Sequence, residues 1–69
     1  MDSFQITKGD FIELNKLMKL LTWVNSGGEA KMFIKNGEVT INDTVATEIR
    51  KKLRSGDVVS FGESKVTIE

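Results

Sequence analysis

The alternation of apolar and polar positions divides this chain into short segments. Residues 3–7, Ser-Phe-Gln-Ile-Thr, alternate as a half-buried strand does, and Lys65-Val66-Thr67-Ile68 near the other end does the same. Neither is long enough to stand alone, so the two are expected to share a sheet. Lys8-Gly9-Asp10 reads as a turn. Asp10 is the expected N-cap of a first helix running from about Phe11 to Val24, with Glu13 near the positive end of its dipole. At about 100° per residue, Leu14, Leu17, Leu21 and Val24 share one arc with Met18 beside them, which makes a core stripe. Lys16, Lys19 and Trp23 fall on the opposite side, spaced as neighbours at i+3 and i+4.

Asn25-Ser26-Gly27-Gly28 breaks and turns that helix, and a second one follows to about Asn36. Ser26 and Glu29 have the spacing of a capping box, in which each side chain satisfies an orphan amide of the first turn. Ala30, Phe33 and Ile34 face the core, while Lys31 and Lys35 stack one turn apart. Gly37 is placed to end the helix in a left-handed conformation. A strand at 38–41 carries Val39 and Ile41 on one face, and Asn42-Asp43 supplies turn chemistry on the way to Val45. Residues 47–54 have no regular pattern, with Ile49 and Leu53 as anchors. Ser55-Gly56-Asp57 turns into a strand at 58–61, and Gly62-Glu63-Ser64 makes a hairpin to the last strand. The sum is an α+β domain: two helices in a helix-turn-helix, packed on a small, mostly antiparallel sheet.

Composition narrows the function. The chain has 69 residues, which makes one domain spanning 1–69 and leaves few apolar side chains to spare for a large pocket. It has no cysteine and no histidine, which removes thiolate ligands, the commonest metal ligand and the usual general base. A hydrolase would need a carboxylate pair or a Ser–Lys dyad, and neither has a recognisable setting. The acidic residues Asp10, Glu29, Asp43 and Asp57 fall at caps and turns, where local hydrogen bonding accounts for them. Gly27-Gly28 lacks the lysine and flanking strand of a nucleotide-binding loop. No catalytic residue, metal, cofactor or small-molecule substrate is therefore expected. No apolar run approaches the ~20 residues of a membrane span and no signal peptide is visible, so a cytoplasmic protein is expected.

Net charge is zero, yet the charge is blocked along the chain. Residues 16–35 carry +3 and 50–54 carry +4, whereas 1–15, 36–49 and 55–69 are each negative. If folding joins the positive blocks, a neutral molecule presents one basic face. The amino end of the second helix, at Ser26, Gly27 and Gly28, exposes amides and a partial positive charge suited to a phosphate oxygen. Lys16, Lys19, Lys31 and Lys35 on the two helices, and Arg50, Lys51, Lys52 and Arg54 in the densest run, can each neutralise a phosphate. Each could equally be a solvated surface charge. Trp23 can stack on an unpaired base, or instead pack on the C-terminal strands. A rival reading makes the chain a protein-interaction module that uses an exposed Trp23 and the sheet edge at 3–7.

The ordered set Ser26, Ala30, Lys31, Ile34, Gly37, Val39, Ile41 and Asn42, followed by Gly56-Asp57-Val58-Val59, resembles the S4-like RNA-binding domain. The resemblance runs over roughly residues 11 to 61, and Gly27-Gly28-Glu29-Ala30-Lys31 is most similar to small stand-alone bacterial members. It implies structured RNA as partner, contacted by the end of helix 1, helix 2 and the following loops. On this chain those positions are Lys16, Lys19, Lys31, Lys35 and the 50–54 run. It further implies ribosomal RNA or a ribosome-assembly intermediate. One departure stands out: many members carry arginine just after the serine, where this chain has Gly27.

Overall fold

The computed structural model describes residues 2–69. The strands β1 (Asp2–Phe4), β3 (Val39–Ile41), β4 (Thr44–Val45), β6 (Val58–Phe61) and β7 (Ser64–Ile68) form one sheet in the order β1-β7-β6-β3-β4. A separate pair joins β2 (Ile12–Glu13) to β5 (Lys52–Leu53). The helices are α1 (Leu14–Leu20) and α2 (Gly27–Lys35). The sheet is antiparallel except where β1 runs parallel to β7. The two ends of the chain do share a sheet, though β1 stops at Phe4 instead of continuing to residue 7.

Register explains which residues are buried. Val39, Ile41, Val59, Phe61, Val66 and Ile68 share one face, because Val39 pairs with Phe61, Ile41 with Val59 and Val59 with Val66. Thr40, Ser60 and Lys65 lie on the other face, as period-2 alternation requires. Leu14, Leu17 and Met18 from α1 and Ala30 and Ile34 from α2 close over the apolar face, with Leu53 between. Each of these six is at most 1% exposed. Of the stripe read from the sequence, Leu14, Leu17 and Met18 are packed within α1, Val24 is buried beyond its end, and Leu21 is half-buried. No polar or charged side chain is buried among the described residues.

Two-residue loops close both hairpins. Asn42 and Asp43 take φ of 52° and 68° between the paired Ile41 and Thr44, the geometry of a type I′ turn. Gly62 takes φ of 61° at the first position of the loop between Phe61 and Ser64. The Asn42 side chain then locks this end of the sheet. Its Oδ1 accepts from the Val58 amide at 2.9 Å, and its Nδ2 donates to Asp57 Oδ1 at 3.0 Å.

Both helices end in the same device. At α2, the Gly37 amide donates to the Ile34 carbonyl (3.1 Å) and the Glu38 amide to Phe33 (3.1 Å), with Gly37 left-handed at φ 76°. At α1, the Thr22 amide donates to Lys19 (3.0 Å) and the Trp23 amide to Met18 (3.0 Å), with Thr22 left-handed at φ 58°. These are Schellman motifs, one built on glycine and one on a β-branched residue.

The first helix differs from expectation at both ends. It begins at Leu14 rather than Phe11, and Glu13, not Asp10, is the N-cap, with no side-chain capping bond. The reason is tertiary: the Leu14 amide donates to the Lys51 carbonyl (2.9 Å) and the Asn15 amide to Ile49 (3.1 Å). The loop backbone supplies the acceptors that a cap would otherwise provide. Ile12 and Glu13, freed from the helix, pair with Leu53 and Lys52. At the far end the chain leaves the helix at Leu21, so Trp23 is not on the polar face beside Lys16 and Lys19.

Candidate nucleic-acid interface

Docking the start of α1 on residues 49–51 brings a lysine-bearing helix next to the densest basic run. Along that run, strand alternation sorts the side chains. Leu53 enters the core, while Lys52 and Arg54 emerge together. Lys52 Nζ lies 4.9 Å from the centroid of the Phe11 ring and Arg54 Cζ 5.8 Å from it, both within reach of a cation–π attraction. Lys16, from α1, shares with Phe11 the lining of a surface cleft. Two cations of the second block thus approach the Phe11 ring, and one of the first lines the cleft that Phe11 borders.

The rest of the predicted set is distributed around this point. Arg50 is exposed in the turn before β5. Lys51 points the other way and lines a depression with Ile41, Val45 and Glu48. Lys19 is exposed on α1, and Lys31 and Lys35 are exposed on α2, opposite the buried Ala30 and Ile34. None of these three lines the Phe11 cleft. Among the described residues no lysine or arginine is held in an ion pair with a carboxylate.

Asp57 fixes the end of the run. Its Oδ2 accepts the Arg54 amide at 2.9 Å while Oδ1 holds Asn42. A turn acid therefore ties the backbone of Arg54 to the β3–β4 hairpin.

At the start of α2, Ser26 Oγ accepts the Glu29 amide at 3.2 Å. Glu29 Oε1 accepts the Asn25 amide at 2.8 Å, one residue earlier than a standard capping box would place it. Its carboxylate is thus turned to Asn25 and not to the amides of Gly27 or Gly28. A Cβ on Gly27 would meet nothing within 4 Å, and one on Gly28 only Ser26 Oγ at 3.8 Å. Space is open above this helix end.

Trp23 is half-buried, its ring 5.8 Å from that of Phe61, which in turn lies 4.9 Å from Phe33. The packing alternative for Trp23 is the arrangement found, the residue keeping partial exposure. Sequence reasoning missed Lys8, which lines the cleft, and placed Phe11 inside a helix. No local signal marks either residue. No helix among the described residues is long and apolar enough to cross a membrane.

A helix-turn-helix laid on a mostly antiparallel sheet has the S4-like arrangement. The S4 domain family model matches residues 4–69, and the chain belongs to that family. The match is wider than the 11–61 region that carried the resemblance. YbcJ of Escherichia coli (strain K12) is 37% identical over 68 residues, covering 99% of this chain and 97% of that protein. The solution structure of YbcJ, described as revealing an alfaL motif involved in RNA-binding, superposes with a TM-score of 0.73. It covers 99% of this chain and 86% of that one. A Bacillus subtilis (strain 168) relative named "probable ribosome maturation protein RlbA" is 38% identical over 60 residues, 83% of this chain and 84% of that protein.

Proposed function

We propose that this chain is a single non-catalytic domain that binds structured RNA, with ribosomal RNA or a ribosome-assembly intermediate as its partner. The observation that carries the reading is the approach of Lys52 and Arg54 to Phe11, which lines a cleft together with Lys16, in a molecule of zero net charge. Family membership and the names of the relatives support RNA as the ligand. Contact runs chiefly through phosphates. Lys16, Lys19, Lys31, Lys35 and the 50–54 run supply charge, the amides of Gly27 and Gly28 supply donors, and the surface edge of Trp23 supplies a stacking face. RNA shape, more than base sequence, then sets specificity.

Filter binding to ribosomal RNA across a salt series tests this. Log affinity should fall linearly with log salt, and each phosphate contact removed should flatten the slope by roughly 0.7–0.9. Glutamine at Lys31, Lys35, Arg50, Lys51, Lys52 and Arg54 should weaken binding and flatten that slope. Affinity indifferent to salt or to these replacements would refute the proposal. The protein-interaction reading keeps one observation, the open edge of β1. A mass that rises with concentration in the absence of RNA would favour it.

A further inference from the structure

The cations around Phe11 do not cover the apolar surface beside it. Phe4, Ile6, Phe11 and Leu20 line a cleft of about 440 Å³, with Lys8 and Lys16 also in its wall. Leu20 is 62% exposed and Phe11 37%, so two large apolar side chains stand at the surface. Lys52 and Arg54 approach the same Phe11 ring. Glu13 is the one carboxylate among the lining residues.

A duplex backbone would use the cations but would leave the apolar floor unfilled, because paired bases present only their edges. An occupant that uses both has a flat apolar body with anionic groups on either side. We propose that this cleft receives one unpaired nucleotide of the bound RNA. Its base lies against Phe11 and Leu20, and the flanking phosphates meet Lys8, Lys16, Lys52 and Arg54. The proposal rests on the RNA-binding reading and adds to it a ligand class: stems interrupted by a bulged or splayed-out residue.

The test uses the full chain and two RNA hairpins of one stem sequence. One is fully paired, and the other carries a single bulged 2-aminopurine whose fluorescence falls on stacking. The bulged hairpin should bind at least about fivefold more tightly, the lower end of what stacking one base on an aromatic side chain is worth. Its fluorescence should be quenched on binding. Leu20→Ser, at an exposed position that holds none of the cations, should abolish the preference and the quenching while leaving the fully paired hairpin bound as before; Phe11→Ser should also abolish both. Equal binding of the two hairpins by the unaltered chain overturns the nucleotide pocket alone. Binding of neither overturns the RNA reading as well. A rise in mass without RNA that either substitution removes would assign the cleft to a second copy of this chain, and the proposal would be wrong.

Discussion

Thr22 holds a backbone conformation that its side chain opposes, and replacing it with glycine should stabilise the protein. At φ 58° it closes α1 with the same pair of hydrogen bonds that Gly37 uses to close α2. A left-handed conformation costs an ordinary L-residue roughly 1–2 kcal/mol, and a β-branched side chain belongs near the upper end. Glycine removes that strain but gives back about 0.5–1 kcal/mol through the greater freedom of the unfolded chain. The bond from Thr22 Oγ1 to the Leu21 carbonyl is at an exposed site, where water replaces it at little cost. Thr22→Gly should therefore gain about 1–1.5 kcal/mol. For a domain this small that is a melting-temperature rise of about 4–12 °C by circular dichroism or calorimetry. Gly37→Thr is the mirror experiment. A Cβ there would lie 3.8 Å from Val45 Cγ1, an ordinary contact, so its penalty would be conformational and of similar size. A lower melting temperature for Thr22→Gly would refute the reasoning, because it would mean that stiffness of the link between the helices outweighs the left-handed strain.

Two further expectations concern binding and its support. Gly27→Arg restores the cation that many family members carry, in open space at a helix start. One added phosphate contact should raise RNA affinity about five- to eightfold at roughly 0.1 M salt and steepen the salt slope by about 0.7–0.9. An unchanged slope in filter binding would show that no phosphate passes this helix end. Asp57→Ala removes the acceptor shared by the Arg54 amide and Asn42. It should cost about 2 kcal/mol in a denaturant melt, and RNA binding should weaken as the end of the 50–54 run loosens. Full stability in this variant would remove Asp57 as the anchor.

How legible an element was in the sequence follows from how local its cause is. Ser26 and Glu29 are three residues apart and announce the start of α2; Gly37 announces its end; Asn42-Asp43 announces the hairpin. In each case the groups that make the bonds lie within a few positions of one another, so the pattern can be read without the fold. Thr22 has the same structural role as Gly37 and no such mark, which is why α1 was expected to run on to Val24. Its other boundary was misplaced because Asp10 looked like a cap, whereas the amides of Leu14 and Asn15 are satisfied by carbonyls at 51 and 49. Those partners are more than thirty positions away.

The sequence by itself determined the class of fold, both hairpins, the second helix with its caps, and the apolar side chains that meet in the core. These depend on periodicity and on steric preferences that each residue carries with it. Tertiary structure decided the parallel pairing of β1 with β7, the point where α1 begins, and the seat of Trp23 on Phe61. It also decided that Lys52 and Arg54 would approach Phe11, beside a cleft that Lys16 lines. Charge repels its own sign and gives no local reason for such a cluster. The gathering comes from α1 docking its amides on the 49–51 backbone, a bond between distant segments that only the closed core brings within reach.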